Sequence, residues 1–314
     1  MVAISTVIAG IILALFATFC FNLGIVLQKK GLKEGLPELT LEEGVSGLGT
    51  SFIKYFKNKF WTLGFALGII GWIPYVIAQG MVGIIVVQPI MGVGLVILVI
   101  FANIMLNEKI SYYEIIAIGM MIIAPVLIAF SGISDVQIDL FGFLIPFIIF
   151  LIIIIVIIII CIMVGRKQPK PEWSGMFKIF VAGILGSLAA IFTNIFAQAY
   201  SDASINLISL FGWAEVLFGI FWFEYFHFWV FLGLYGLGFF FLTSMIFQNN
   251  GMQKGKAVIL WPIQNSISLI IPVIAGFVVF GQAVANLLLF LIAVLLILIA
   301  TIVLSKYQAE YDSD

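Results

Sequence analysis

The side chains of this chain that could do chemistry are uncharged amides placed inside long apolar runs. Gln88 directly precedes Pro89, and Gln264 and Asn265 follow Pro262. A proline within a helix has no N–H and displaces the carbonyl four residues earlier, so each proline frees a backbone oxygen. Freed carbonyls and amide oxygens together make a neutral, oxygen-rich site. Such a site suits a hard cation that takes oxygen ligands and keeps several of its waters.

Further amides extend this pattern, and they are Asn22, Gln79, Asn194, Asn249 and Asn250. Asn22 and Asn194 stand at matched places in two similar helices, and the others lie in the turns before the proline helices. An amide in an apolar helix more often hydrogen-bonds a neighbouring helix, which contributes about 0.6–2 kcal/mol. The pair Asn22 and Asn194, and the pair Gln88 and Gln264 beside the prolines, are the stronger candidates for a substrate pathway.

Two carboxylates are candidates for a role in cation access. Glu108 ends an apolar run beside Lys109, where a structural capping role is the main alternative. Glu215 is the one carboxylate inside an apolar segment, and it belongs either to an interface or to a vestibule. The apolar runs hold no carboxylate pair, which argues against tight binding of a bare divalent ion. It also argues against a simple proton-coupled antiporter, which needs a titratable group within the membrane.

The residues needed for catalysis or for a cofactor are scarce. His227 is the only histidine, and Cys20 and Cys161 lie far apart within apolar runs. These three residues cannot supply the ligand set of a zinc site or a Cys–His nucleophile pair. We therefore expect no enzyme activity, no cofactor and no disulfide.

Composition and charge placement predict an all-α, polytopic helical membrane protein. The 314 residues are 64% hydrophobic and 9% charged, whereas a soluble domain carries about 25% charge. Charged residues are absent from 1–28, 60–107, 141–165, 179–201, 228–253 and 257–305. A helix needs about 20 apolar residues to cross a bilayer. The net charge of −1 implies no nucleic-acid partner.

The pattern predicts nine transmembrane spans, at 4–28, 59–79, 82–106, 111–131, 141–165, 178–199, 228–248, 257–280 and 284–305. We interpret 4–28 as the first span and not as a removed leader. If 205–223 does not cross and the lysine-rich loop is cytoplasmic, all fourteen Lys and Arg residues lie inside, as the positive-inside rule favours. If 205–223 does cross, making ten spans, Lys254, Lys256 and Lys306 move outside. The nine-span arrangement places the N-terminus outside, the C-terminus in the cytoplasm and the protein in the cell membrane.

The two halves of the chain resemble each other. Gln79-Gly80-Met81 precedes one proline helix, and Asn250-Gly251-Met252 precedes the other. The repeats are 1–131, with a cytoplasmic loop at 29–58, and 177–314, joined by a linker helix within 132–176. Equivalent helices are five crossings apart, so the four-helix repeats are inverted. Inverted repeats with interrupted helices at their interface are typical of secondary transporters.

Three stretches carry a resemblance to a known family, and they are Asn22–Gly31 (NLGIVLQKKG), Gln79–Lys109 and Asn249–Gln264. The chain resembles the NIPA-type magnesium transporters of the drug/metabolite transporter superfamily. The resemblance implies movement of magnesium or a related divalent cation through a polar pathway between the repeats. Two positions differ from the family's pattern, since Asn250 replaces a lysine and Gln282 replaces a glutamate.

Other functions stay open at the level of sequence. One alternative is a superfamily transporter of a small neutral or cationic metabolite, and another is a non-transporting membrane scaffold or lipid-handling protein. The expected partners are the lipid bilayer and a small ion or metabolite, with a homodimer as a further option.

Overall fold

The computed structural model describes residues 4–33, 56–94, 96–97, 100, 112–135, 140–206, 209–252 and 257–311. These residues form ten α-helices, one 3-10 helix and two short strands. The helices are α1 Ile4–Lys33, α2 Lys59–Val82, α3 Ile84–Gly92, α4 Tyr112–Ser131, α5 Leu144–Arg166, α6 Pro171–Asp202, α7 Leu210–Phe218, α8 Tyr225–Met252, α9 Ala257–Val278 and α10 Leu287–Tyr311. The 3-10 helix is Gly219–Trp222, and the strands are β1 Ile133–Asp135 and β2 Ala283–Val284.

The all-α, polytopic membrane fold is confirmed. Within the described ranges, five helices are long and apolar enough to cross a membrane, namely α1, α2, α5, α6 and α8. The apolar window of α6 is 83% buried within the protein, whereas that of α5 is 17% buried and has a mean hydropathy of 4.0. The central helix α6 therefore packs against protein on nearly every side, and α5 presents most of its surface to lipid.

The short helix α3 lies at the centre of the molecule. Its residues from Ile84 to Ile90 are all buried, and Ile84, Ile85 and Val86 have no exposed surface. The helix contacts α1, α9, α10 and α4. A helix that is apolar all round is stable only when it is covered on all sides, so the composition of α3 accounts for its place in the core.

Two helix pairs in the described part of the chain pack extensively. The most extensive contacts join α1 to α2 in the first half and α6 to α8 in the second. Gly71 of α2 faces Ala17 and Cys20, and Gly236 of α8 faces Phe192. Glycines at these crossings let the helix backbones approach closely. Between the halves, α4 packs on α10 and α3 packs on α9.

One end of the bundle is closed by backbone and aromatic contacts. Strand β1 pairs antiparallel with β2, in the register Ile133↔Val284. The Tyr225 hydroxyl donates to the carbonyl of Leu140, and the Phe143 ring lies 4.9 Å from that of Trp229. We call this region, which joins the ends of α2, α4 and α9 to the starts of α5, α8 and α10, the tied end.

Segment 205–223 forms no membrane-length helix. It contains α7, which has nine residues, and the four-residue 3-10 helix. At about 1.5 Å per residue, α7 spans less than half of a hydrocarbon core about 30 Å thick. The described part of the segment contacts the first half of α8, and the nine-span count stays a prediction.

Candidate functional site

A cavity lies where the two proline helices meet α1 and α10. Its volume is about 140 Å³. The lining residues come from four regions of the chain, and they are Asn22, Gln88, Met91, Gly92, Asn265, Ser268, Leu269 and Thr301. Three of the predicted pathway residues, Asn22, Gln88 and Asn265, are therefore brought together here.

Helix α3 places Gln88 at the cavity because of the proline that follows it. Pro89 is a buried residue within α3, and the helix ends at Gly92. Since Pro89 has no N–H, the carbonyl of Ile85 lacks its usual helical partner. The side chain of Gln88 is anchored by a 2.6 Å hydrogen bond between its Nε2 and the hydroxyl oxygen of Tyr75 on α2.

On α1, Asn22 is held by a short chain of hydrogen bonds. Its Nδ2 donates to the carbonyl oxygen of Thr18 at 2.8 Å and to the Thr18 hydroxyl oxygen at 3.2 Å. The Thr18 hydroxyl in turn donates to the carbonyl of Met91 at 3.0 Å. This chain connects α1 to the last turn of α3.

The opposite wall of the cavity has unused hydrogen-bonding capacity. Asn265 Nδ2 and Thr301 Oγ1 are buried and have no hydrogen-bond partner among the residues that the structure describes. Leaving such groups buried and unpaired costs about 1–3 kcal/mol each. A polar ligand or water in the cavity would offset this cost, so this wall is suited to a polar occupant.

The cavity carries no formal charge. None of its eight lining residues is a carboxylate, a lysine, an arginine or a histidine. Across the described part of the chain, no group of three His, Cys, Asp or Glu residues could hold a metal ion. The geometry therefore fits an ion that keeps its water shell, or a neutral molecule, better than a dehydrated divalent ion.

Gln264 and Asn250 do not line the cavity. Gln264 Nε2 donates to Gln248 Oε1 at 2.9 Å, which links α9 to α8. Asn250 Nδ2 donates to the carbonyl of Ile246 within α8. Gln264 Oε1 is buried and has no hydrogen-bond partner among the described atoms. A pathway role for Gln264 and Asn250 stays a prediction.

Gln79 and Asn194 are buried and do not line the cavity. Both have an exposed fraction of 2%. Gln79 is on α2, Asn194 is on α6, and these two helices pack together. Asn194 Nδ2 has no hydrogen-bond partner among the described atoms, whereas the Gln79 amide interacts with the hydroxyl of Tyr75, which also holds Gln88. A pathway role for Gln79 and Asn194 stays a prediction.

Glu215 is part of a cluster of polar side chains near the tied end. Its Oε2 lies 3.9 Å from His227 Nε2, and Glu224 Oε2 lies 2.9 Å from His227 Nδ1. The ring of Trp222 stacks parallel to the imidazole at 6.2 Å. This cluster connects α7 and the 3-10 helix to the start of α8 and contributes nothing to the cavity lining.

Three predicted residues lack a description of their side chains. Glu108 lies outside the described residues. Asn249 and Pro262 lie on α8 and α9, but their side chains are outside the described part of the structure. Their proposed roles rest on sequence alone.

Sequence reasoning missed the hydroxyl residues of the site. Ser268 and Thr301 line the cavity, and Thr18 and Tyr75 hold its amides. Isolated hydroxyls in apolar helices are common packing residues, so each carries a weak signal. The spacing of four between Thr18 and Asn22 was the one available clue, because such residues meet on one helix face.

The chain is similar in sequence to plant proteins named as magnesium transporters. It is 38% identical over 109 residues to "Probable magnesium transporter NIPA9" of Arabidopsis thaliana, covering 35% of this chain and 30% of the relative. It is 26% identical to "Probable magnesium transporter NIPA4", over 42% of this chain and 37% of the relative, and 25% identical to "Probable magnesium transporter NIPA3", over 42% and 34%. The matches thus span about a third of the relatives' length. No family model matches the chain, and no solved structure matches it significantly. The resemblance to NIPA-type proteins is confirmed by these relatives.

Proposed function

We propose that this protein is a membrane transporter that moves magnesium or a related divalent cation through the cavity between its two halves. The observation that carries the proposal is the convergence of Asn22, Gln88, Asn265 and Thr301 on one cavity within a very apolar chain. Polar groups inside a membrane protein are rare and commonly mark a substrate pathway. The names of the Arabidopsis relatives support magnesium as the substrate.

The neutral lining supports weak, outer-shell recognition of a hydrated ion. Magnesium loses its waters reluctantly and usually keeps several of them in a binding site. Amide and hydroxyl oxygens can accept hydrogen bonds from those waters. Conduction requires binding that is favourable enough to admit the ion and weak enough to release it, and a site without carboxylates meets the second condition.

An arrangement of inverted four-helix repeats, of the type found in the drug/metabolite transporter superfamily, is supported by the packing. Matching helix pairs make the most extensive contacts in each half, and the proline helices α3 and α9 contact each other. Both proline helices contribute cavity residues, Gln88 from α3 and Asn265 from α9. A binding site at the interface of two repeats follows the general plan of secondary transporters.

A second candidate function is the transport of a small neutral or cationic metabolite. It is favoured by the absence of charge among the cavity residues and by the unpaired amide of Asn265 and hydroxyl of Thr301. These groups could donate to or accept from an organic molecule as well as from water.

Transport by reconstituted protein tests the proposal. We expect the wild-type chain in liposomes to carry magnesium down a gradient to an internal fluorescent indicator. Asn22→Ala should lower the initial rate about 10-fold, since it removes an amide from the cavity lining. Asn250→Ala is the matched control, because this amide lies on α8 and does not line the cavity; its rate should stay within about twofold of wild type.

Two results separate the candidate functions. A wild-type protein that carries no divalent cation would reject the magnesium proposal. Thermal stabilisation by a metabolite in detergent, together with indifference to divalent cations, would favour the second candidate.

A further inference from the structure

We infer that Thr18, a buried residue of α1, is a positioning residue that turns the side-chain carbonyl of Asn22 toward the cavity. Thr18 has no exposed surface and is not among the lining residues. It lies one helical turn before Asn22, so the two side chains share one face of α1. The transport measurements that test this inference rest on the proposed function, whereas the hydrogen-bond arrangement does not.

The direction of the hydrogen bonds fixes the orientation of the Asn22 amide. The Met91 carbonyl oxygen can only accept a hydrogen bond, so the Thr18 hydroxyl is the donor to it. The hydroxyl oxygen and the Thr18 carbonyl are then both acceptors toward Asn22. Only the amide nitrogen can satisfy two acceptors. The Asn22 Oδ1 is therefore the atom left for the cavity that Asn22 lines.

This orientation determines what the cavity offers to its substrate. An exposed Oδ1 accepts hydrogen bonds from the waters of a cation or from an ammonium group. A rotated amide would instead present its partially positive N–H groups, which disfavour a positively charged substrate. Fixing the side chain in advance also lowers the ordering cost of binding. Thr18 therefore favours substrates that carry donors and positive charge.

Gly94 allows this chain of hydrogen bonds to form. A Cβ atom built on Gly94 would overlap Asn22 Nδ2 and Thr18 Oγ1. The backbone just beyond α3 thus passes directly over the Thr18–Asn22 pair. An alanine at position 94 must displace one of these side chains, so it perturbs the same arrangement from another segment.

Thr18→Val and Thr18→Ser form the central comparison. Valine has nearly the shape of threonine but lacks the hydroxyl, so it removes the 3.2 Å bond from Asn22 Nδ2 to the hydroxyl oxygen and keeps the 2.8 Å bond to the backbone carbonyl. Serine keeps both bonds. In proteoliposomes we expect Thr18→Val to raise the half-saturating magnesium concentration about 3- to 10-fold, the range set by one hydrogen bond, with the maximal rate within about twofold. Thr18→Ser should stay within about twofold for both parameters, and Gly94→Ala should resemble Thr18→Val.

A double-mutant cycle shows whether Thr18 acts through Asn22. If it does, Thr18→Val should change nothing further in protein that already carries Asn22→Ala. Equal fold-changes in both backgrounds would overturn the inference, because Thr18 would then act independently of Asn22. Unchanged half-saturation in Thr18→Val alone would overturn it as well.

Thermal melting in detergent separates this inference from the proposed function. The same cycle can be measured as the melting temperatures of wild type, Thr18→Val, Asn22→Ala and the double variant. The change in melting temperature of the double variant should differ from the sum of the changes in the two single variants. If the wild type carries no divalent cation, the proposed function fails, and the melting cycle alone decides the inference. Additive shifts would then overturn it.

Discussion

At the scale of single residues, the site is built from neutral groups whose roles depend on their partners. Gln264 and Asn250 satisfy their amide nitrogens within the helix bundle. Gln264 Oε1, Asn265 Nδ2 and Thr301 Oγ1 are buried without a partner among the described atoms, but only Asn265 and Thr301 line the cavity. Because an unpaired buried polar group is costly, the position of Asn265 and Thr301 at the cavity supports the proposal that they contact a substrate.

Thr301→Val should therefore separate stability from transport. Removing an unpaired buried hydroxyl should leave stability unchanged or raise it by about 1 kcal/mol, while the half-saturating magnesium concentration rises about 3- to 10-fold. The control is Thr193→Val, because this buried hydroxyl donates to the Ala189 carbonyl at 2.8 Å and does not line the cavity. In Thr193→Val we expect a lower melting temperature in detergent and an unchanged half-saturating magnesium concentration, which is the opposite of the result expected for Thr301→Val. A clear loss of stability in Thr301→Val would contradict the assignment.

At the scale of elements, the junction of α2 and α3 sets the start of the helix that carries Gln88 to the cavity. A single residue, Gly83, separates the two helices and has a φ of 75°. A Cβ atom there would lie 2.7 Å from Gln282 Oε1, and the Gln282 oxygen accepts from the backbone N–H of Ile85 at 3.4 Å. Gln282 thus connects the start of the first proline helix to the second half of the molecule.

Gly83→Ala should lower the free energy of unfolding by about 1–3 kcal/mol, because only glycine adopts this backbone conformation without strain. Gly68→Ala is the matched control within α2, since a Cβ there meets nothing within 4 Å. Alanine is the better helix former, so the control should be neutral or slightly stabilised. Reversible unfolding in mixed micelles measures the free energy of unfolding of both variants. Equal values for Gly83→Ala and Gly68→Ala would show that the backbone at Gly83 is unstrained.

At the scale of the whole molecule, the bundle has two different ends. The lysines and arginines in the described part of the chain lie at the ends of α1, α5 and α10 and the starts of α2 and α6, as Lys29, Lys30, Lys33, Lys57, Lys59, Arg166, Lys167, Lys170, Lys178 and Lys306. The tied end carries the strand pair, the aromatic contacts and the α7 segment. Because positive charge favours the cytoplasmic side, we predict that the tied end faces outside.

Cysteine labelling tests this orientation. In protein with Cys20 and Cys161 replaced by alanine, we expect Asp202→Cys and Glu224→Cys to react with a membrane-impermeant maleimide in intact cells. Lys167→Cys should react only after permeabilisation, because α6 separates it from Asp202. Labelling of positions 202 and 224 from opposite sides would show that 205–223 crosses the membrane.

The sequence by itself determined the class of the protein and its helices. Charge-free runs of membrane length leave few alternatives to a helical bundle, because backbone polar groups in lipid must be satisfied within each segment. Each of the nine predicted spans overlaps a helix, with 82–106 described mainly in its first part. Only the tertiary structure decided which amides share a cavity, since Asn22 lines it and its sequence match Asn194 does not. Helix rotation and register set that choice, and they arise from packing at positions such as Gly94 and Thr18, which no local pattern reveals.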